Sequence, residues 1–226
     1  MRHRHKPVAS RVISGFVALA GLAMSGLFVG HVVHAQKAST DPAAVLETAT
    51  FAGGCFWCVE VDFQKVDGVV EVVSGFIGGK TPNPTYRQVT SGGTGHTEAV
   101  QLKFDPRKVS YERLVYVFWR TIDPLDAGGQ FCDRGDSYRT GIFTHSDAQK
   151  KIADETKAAL DASGRFKQKI ATEIQVAGPF TAAEAYHQNF HVKDPGRYTS
   201  YRAGCGRDAR VKALWGAEAG GKVLGQ

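Results

Sequence analysis

Methionine is nearly absent from this chain of 226 residues. Both methionines, Met1 and Met24, lie close to the N-terminus, so the remainder carries no thioether that oxidants can damage. Acidic residues are absent from the first 35 positions, which hold four of the 28 basic side chains. The rest of the chain therefore carries 24 basic and 22 acidic side chains, a net charge of only +2. This balance, without a cluster of Lys and Arg, argues against a nucleic-acid binding surface.

Long hydrophobic runs are lacking outside the N-terminal segment. Residues 12 to 30 are almost free of polar groups, and a basic stretch precedes them while small residues follow them. This order is typical of a secretory signal peptide, and the length also fits an uncleaved membrane anchor. We therefore predict a leader over residues 1 to 35 and a linker over residues 36 to 46. One exported, monomeric domain follows over residues 47 to 226, in the periplasm or anchored to the membrane facing it.

The rest of the chain alternates between strand and helix patterns. The predicted strands cover residues 47–52, 69–77, 97–104, 139–144 and 170–176. The predicted helices cover residues 55–67, 110–121, 146–164, 181–192 and 208–215. Residues 123–137 and 193–207 are predicted loops. This order lacks regular βαβ alternation, which favours an α+β fold in two layers, with helices on an open mixed sheet, over a doubly wound fold.

Cys55 is the first candidate for chemistry. It follows a predicted strand and two glycines and opens a helix, where unpaired N–H groups and the helix dipole lower the pKa of a thiol. Phe56 and Trp57 add an aromatic wall that suits a small apolar group attached to something polar. The alternative is that Cys55 is half of a structural disulfide, which an exported protein permits.

The remaining cysteines leave several interpretations open. Cys58 lies one helical turn after Cys55, which allows a dithiol redox pair, half of a zinc site, or two unrelated residues. Cys132 and Cys205 bring neither a second Cys-x-x-Cys nor a histidine at ligand spacing. This spacing argues against a structural zinc site, and we expect no metal.

Glu98 is the second candidate. Strand alternation places its carboxylate on the same face as Val100 and Leu102, where desolvation raises its pKa and keeps it usable as a proton donor. Its position at the start of the strand equally allows it to reach solvent or a loop N–H group.

Four further polar residues lie in irregular segments. Tyr86 and Tyr138 can donate O–H bonds into one shared pocket, or they serve only in packing. Asp133 and His96 are equally ambiguous from the pattern alone.

Several long motifs, taken in order, resemble a known family. The motifs are Gly53-Gly-Cys-Phe-Trp-Cys-Val-Glu60, Asn83-Pro-Thr-Tyr-Arg-Gln-Val89, Thr94-Gly-His-Thr-Glu-Ala-Val100 and the segment 133–143. Over residues 48 to about 216 the chain closely resembles peptide methionine sulfoxide reductases of the A type. The resemblance implies a two-layer α+β sandwich with a ferredoxin-like core. It also implies reduction of the S epimer of methionine sulfoxide, free or in oxidised exported proteins that are thereby repaired.

The resemblance further implies roles for individual residues. Cys55 is the nucleophile that attacks the sulfoxide sulfur, and Phe56 and Trp57 hold the substrate methyl group. Glu98 protonates the leaving oxygen. The residues that hydrogen-bond this oxygen or order the site around it are Tyr86, Tyr138 and Asp133.

The departure of methionine leaves Cys55 as a sulfenic acid, which another thiol must convert to a disulfide. Cys205 matches the first tail cysteine of familiar family members and is the first candidate. Cys58 is its rival, and Cys132 lies beside the predicted pocket. No cofactor is implied, because a thioredoxin or thioredoxin-like protein reduces the disulfide. Two alternatives stay open: an exported dithiol oxidoreductase built on Cys55 and Cys58, and a secreted domain with two structural disulfides.

Overall fold

A computed structural model gives the fold and describes residues 45 to 222. The predicted leader, and the predicted linker up to residue 44, lie outside the described residues. Within the described range, no helix combines the length and the apolar character needed to cross a membrane.

The described residues form eight strands and seven α-helices. The strands are β1 (Glu47–Gly53), β2 (Val69–Ile77), β3 (Thr97–Phe104), β4 (Gly129–Gln130), β5 (Asp133–Arg134), β6 (Thr140–Thr144), β7 (Glu173–Val176) and β8 (Thr181–Ala182). The helices are α1 (Phe56–Gln64), α2 (Tyr86–Thr90), α3 (Tyr111–Trp119), α4 (Asp147–Ala162), α5 (Phe190–Lys193), α6 (Pro195–Gly204) and α7 (Arg207–Trp215). Short 3₁₀ turns lie at Asp136–Tyr138 and Gly216–Glu218.

Six of these strands form one sheet in the order β7-β6-β1-β3-β2-β8. The β6–β7 pair is parallel and the other pairs are antiparallel, while β4 and β5 form a separate hairpin. The predicted α+β fold with a mixed sheet is therefore confirmed.

The alternation of β3 builds the main core. Its residues Val100, Leu102 and Phe104 are fully buried on one face, where they meet apolar side chains of α1 and α3. The opposite face carries a small apolar cluster that includes Ala99 and Phe143. Burial on both faces holds β3 at the centre of the sheet, with Glu98 near its start.

Side-chain caps set the beginnings of two helices. The hydroxyl of Ser110 accepts the N–H of Arg113 and starts α3, and that of Ser146 accepts the N–H of Gln149 and starts α4. Such caps satisfy N–H groups that the helix leaves unpaired. The predicted starts of both helices are confirmed.

The predicted helix over residues 181–192 is wrong. Thr181 pairs with Phe76 in the short edge strand β8, and only the last few residues of the stretch are helical. Gln188 then turns its side-chain amide onto the backbone of Ser74, accepting its N–H at 2.9 Å and donating to its carbonyl at 2.8 Å. These contacts with β2 outweigh the local capping signature.

Both predicted loops also contain regular structure. The stretch 193–207 holds α6, whose first turn Asp194 caps by accepting the N–H of Arg197, with Pro195 at the first helical position. The stretch 123–137 contains the β4–β5 hairpin.

Candidate active site

The connection from β1 to α1 presents Cys55. Gly54 has a φ of +78°, and a Cβ at this position would lie 2.5 Å from the Cβ of Gln130, so only glycine fits the turn. Cys55 is the N-cap residue of α1, and its carbonyl accepts the N–H groups of Cys58 and Val59. Its side chain is buried, with 6% of the residue exposed.

Glu98 lies against the first turn of the same helix. Its Oε2 accepts the N–H of Phe56 at 2.9 Å, and the residue is 1% exposed. Burial raises the pKa of Glu98 to about 8, because it outweighs the N–H bond, and the charges of Asp133 and Cys58 act in the same direction as burial. The structure therefore places a neutral carboxyl, and not a solvated carboxylate, beside Cys55.

The pKa of Cys55 is raised, so the expectation that the helix start lowers it is wrong. Burial is the main cause, followed by the hydrogen bond with Cys58 and the charge of Glu98. The physical reason is that burial outweighs the stabilisation that the start of the helix offers a thiolate.

The pKa of Cys58 is lowered, in contrast to that of Cys55. The hydrogen bond from Cys55 is the largest cause that lowers the pKa of Cys58. The guanidinium groups of Arg207 and Arg202 lower it further, against the opposing effect of burial.

Aromatic rings hold Trp57 in place at the other side of Cys55. The indole stacks on Phe190 with 3.7 Å between ring centroids, and its Nε1–H donates to Nδ1 of His187 at 3.0 Å. The ring of His187 also contacts the rings of Tyr86 and Phe56, at 4.3 and 5.0 Å between centroids. Burial lowers the pKa of His187 to about 4, so it remains the neutral acceptor that this hydrogen bond needs.

The predicted side chains meet at one small pocket of about 60 Å³. Its lining residues are Cys55, Phe56, Trp57, Tyr86, Glu98, Asp133, Tyr138 and Tyr201. Pockets that hold drug-sized ligands are at least about 300 Å³. This pocket therefore admits only the end of one side chain.

The polar rim of the pocket includes two phenols that keep their protons. Burial raises the pKa of Tyr86 to about 12, and burial with the charge of Glu98 raises that of Tyr138 further. Both phenols are consequently O–H donors at neutral pH. Burial also raises the pKa of Asp133, against a hydrogen bond that it receives from Tyr201.

Tyr201 is a pocket residue that sequence reasoning missed. It lies on α6, inside the stretch predicted as a loop, and it hydrogen-bonds both Asp133 and Cys55. Its ring also meets Trp57 edge-on at 5.7 Å between centroids. The Asp-Pro dipeptide at 194–195 is the helix-start signal that would have placed it.

His96 is not part of the pocket lining. Its Nδ1 accepts the N–H of Gly79 at 3.2 Å, and its Nε2 lies 2.8 Å from the carbonyl oxygen of Thr81. These bonds join two glycine-rich loops, so His96 has a structural position.

A disulfide joins Cys132 to Cys205. It links the turn of the β4–β5 hairpin to the end of α6, and Sγ of Cys205 lies 3.8 Å from Oδ2 of Asp133. Cys55 and Cys58 are free, which contradicts the alternative of a domain with two structural disulfides. The bond fastens together the two segments that carry Asp133 and Tyr201.

Known proteins are similar in sequence to this chain over most of its length. A family model described as peptide methionine sulfoxide reductase matches residues 47–219. The chain is 55% identical over 170 residues to peptide methionine sulfoxide reductase MsrA of Bacillus licheniformis, covering 75% of this chain and 94% of that protein. It is 56% identical to the MsrA of Listeria welshimeri, covering 75% and 96%.

Solved structures share the fold. Mxr1 from Saccharomyces cerevisiae in its reduced form matches with a TM-score of 0.62 and 33% identity, over 69% of this chain and 89% of that one. Methionine sulfoxide reductase A of Corynebacterium diphtheriae matches with a TM-score of 0.60 and 36% identity, over 66% and 76%. Both agree with the mixed α+β architecture found here.

Proposed function

The chain belongs to the peptide methionine sulfoxide reductase family, and on this basis we propose that its pocket reduces the S epimer of methionine sulfoxide, free or in proteins. One observation carries the assignment of residues. A free, buried Cys55 and a buried, protonated Glu98 face the same small pocket.

The aromatic wall supports recognition of the substrate methyl group. Phe56 is buried, and Trp57 is held by its stack on Phe190 and its bond to His187. A rigid apolar wall binds a methyl group because contact removes apolar surface of both from water. The polar rim of the pocket hydrogen-bonds the sulfoxide oxygen. The two sides of the pocket thereby fix which face of the sulfur meets Cys55.

In the first step, the sulfur of Cys55 attacks the sulfoxide sulfur while Glu98 protonates the oxygen. The O–H groups of Tyr86 and Tyr138 polarise the S–O bond and stabilise the charge that develops on oxygen. The OH group then moves from the methionine sulfur to the sulfur of Cys55 as the bond between the two sulfurs breaks, so that methionine leaves as a thioether and Cys55 keeps the oxygen as a sulfenic acid. The thiol loses two electrons and the sulfoxide gains them, and the thiol proton replaces the one that Glu98 gave.

In the second step, the thiolate of Cys58 attacks the sulfur of the Cys55 sulfenic acid. A disulfide forms, and hydroxide leaves as water with a proton from Glu98. Cys58 is favoured over Cys205, because Cys58 is free and hydrogen-bonded to Cys55, whereas Cys205 is bonded to Cys132.

An external dithiol then restores the enzyme. A thioredoxin-like protein is the proposed reductant, since thiol–disulfide exchange with Cys55–Cys58 returns the two electrons without a bound cofactor. The signal-peptide pattern of residues 1 to 35 supports export of the enzyme from the cytosol. Its proposed substrates there are oxidised exported proteins, which it repairs. Cell fractionation tests this location, and recovery of the full-length chain in the cytosol alone contradicts it.

The decisive experiment is a single turnover without reductant, with each sulfoxide epimer separately. We expect one equivalent of methionine per chain from the S epimer only, with the loss of two thiols. Cys55→Ser should release none, and Cys58→Ser should release one equivalent but accumulate a sulfenic acid that a diketone reagent traps.

Three outcomes contradict parts of the proposal. Release of methionine by Cys55→Ser moves the nucleophile elsewhere. Accumulation of sulfenic acid in Cys205→Ser, with none in Cys58→Ser, makes Cys205 the resolving residue. No methionine from either epimer removes the reductase assignment and favours the dithiol oxidoreductase.

A further inference from the structure

Arg197 lies beside the aromatic wall of the pocket. Its guanidinium carbon is 5.9 Å from the ring centroid of Trp57 and 5.7 Å from that of Phe190. The two rings stack with 3.7 Å between their centroids, so the nearly equal distances place the guanidinium alongside the pair and not on the outer face of either ring. Arg197 is exposed, whereas Trp57 is half-buried and Phe190 is buried. The aromatic wall therefore has a cation on its solvent side.

The helix α6 carries Arg197 and Tyr201 on one face, because residues four apart are neighbours on a helix surface. Tyr201 lines the pocket and meets Trp57 edge-on at 5.7 Å between ring centroids. Both side chains thus approach Trp57 from α6, with Arg197 one turn before Tyr201. Since Tyr201 reaches the pocket and Arg197 is exposed, the guanidinium lies at the mouth of the pocket.

Arg197 has no ion-pair partner within 4.0 Å in the part of the chain that the structure describes. The acid three residues before it, Asp194, accepts the backbone N–H of Arg197 at 3.1 Å and so caps α6. Arg202 of the same helix differs, because its guanidinium pairs with Asp62 at 2.9 Å and with Asp208 at 2.7 Å. The guanidinium of Arg197 is therefore available to a group that arrives from solvent.

The pocket itself offers an anionic substrate little. Among the described residues that line it there is neither lysine nor arginine, while Glu98 and Asp133 both carry carboxyl groups. An ionised Asp133 repels a substrate carboxylate, since like charges a few ångströms apart interact unfavourably. A cation at the mouth offsets this repulsion.

The length of the substrate brings a carboxylate to this cation. In methionine sulfoxide, four bonds of about 1.5 Å join the sulfur to the carboxyl carbon, so these atoms are at most about 6 Å apart. The pocket of about 60 Å³ admits only the end of one side chain, so the main-chain end of the substrate lies at its mouth. A guanidinium at this place can donate two parallel N–H bonds to a carboxylate.

We propose that Arg197 forms a carboxylate subsite at the mouth of the pocket, which favours sulfoxides that carry an anionic group close to the sulfur. This subsite rests on the proposed function and names the class of substrate that the pocket prefers. The carboxylate has two sources. One is the α-carboxylate of free methionine sulfoxide, and the other is an acidic side chain next to methionine sulfoxide in a peptide.

The test compares two matched pairs of S sulfoxides. The first pair is N-acetylmethionine sulfoxide and its uncharged carboxamide, and the second is a capped tripeptide with glutamate or glutamine after methionine sulfoxide. The second-order rate constant for methionine release is measured in single turnovers without reductant, for the parent, Arg197→Gln and Arg197→Lys. The matched control is Lys151→Gln, which removes an exposed cation from α4, a helix that packs against α3, β6 and β7.

Arg197→Gln should lower the ratio of charged to uncharged rate constants about fivefold in at least one pair, the upper end of the range for an exposed ion pair. The rate constants of the uncharged members should stay unchanged. Arg197→Lys should retain part of the ratio, and about 1 M salt should reduce it in the parent, because salt screens exposed charges. Lys151→Gln should match the parent. A fall in the first pair identifies the α-carboxylate as the ligand, and a fall in the second identifies the acidic side chain.

Two results overturn the subsite. One is an unchanged ratio in both pairs with Arg197→Gln. The other is equal slowing of the charged and uncharged members, since this gives Arg197 a structural role beside Trp57 and no role in reading charge. Absence of methionine from all four sulfoxides in the parent is a different result, because it contradicts the proposed function and the subsite falls with it.

Discussion

The proton on Glu98 is the group on which the proposed first step depends most. With a pKa of about 8, about nine-tenths of these carboxyls are protonated at pH 7, against fewer than about one in a hundred at the ordinary pKa of 4.5. Glu98→Gln removes the proton and retains an oxygen to accept the N–H of Phe56. General acids contribute about 10²- to 10⁴-fold, so methionine release at pH 7 should slow about a hundredfold or more.

The burial of Glu98 predicts that Glu98→Gln, which slows methionine release, stabilises the fold at neutral pH. The pKa of Glu98 is raised in the folded state, so its stabilising contribution is complete below the unfolded pKa of 4.5 and is lost as pH rises through about 8. At pH 7 this difference is worth up to about 3 kcal/mol. A glutamine does not titrate, so Glu98→Gln should be more stable than the parent at neutral pH and similar to it at acid pH.

Two assays separate these effects. Quenched single turnovers over a pH range that spans about 5 to about 10 should show the parent losing rate through its pKa, with the Gln variant slow and flat. Urea unfolding at acid and neutral pH supplies the stability difference. Glu60→Gln is the matched control, because Glu60 is a buried glutamate of α1 that accepts the N–H of Asn189 and does not line the pocket. A Glu98→Gln chain with parental release rate and parental pH dependence of stability refutes the reasoning.

Three other predictions follow from contacts around the pocket. Cys205→Ser opens a disulfide across 73 residues and should lower the free energy of unfolding by up to about 4 kcal/mol in urea titrations; a change below about 1 kcal/mol contradicts a structural contribution. Tyr201→Phe loses the bond to Asp133 and should lower kcat/KM several-fold in steady-state assays, whereas an unchanged value removes Tyr201 from substrate positioning. Trp57→Phe loses the bond to His187 and should raise KM more than it lowers kcat, and the reverse pattern would assign the indole to the chemical step.

Local patterns predicted the centre of the fold well. The predicted bounds of β3 agree with the structure, because its alternation reflects two buried faces that differ in composition. That same alternation made Glu98 a candidate for a buried acid, while its position at the strand start left a solvent-exposed side chain equally open. The starts of α3 and α4 were predictable because Ser110 and Ser146 satisfy helix N–H groups within three residues of themselves.

The features that the sequence did not predict depend on contacts between distant segments. A capping signature at Thr181 was outweighed by pairing with Phe76, which lies over a hundred residues earlier. The pKa of Cys55 is raised chiefly by its burial in the folded chain, and the sequence around the cysteine does not show this burial. Tyr201 enters the pocket only because α6 returns to it. In each case the deciding contact is tertiary, and the local signal is the weaker effect.

Burial disfavours charge on Glu98 and on Cys58 alike, yet the pKa of Glu98 is raised and that of Cys58 is lowered. The difference lies in their neighbours. The hydrogen bond from Cys55, then the charges of Arg207 and Arg202, favour ionisation of Cys58, whereas the charges of Asp133 and Cys58 oppose it at Glu98. When Cys58 enters a disulfide its charge disappears, and one cause of the raised pKa of Glu98 disappears with it. The proton that Glu98 then gives to the leaving hydroxide is thus released most easily in the step that consumes the thiolate.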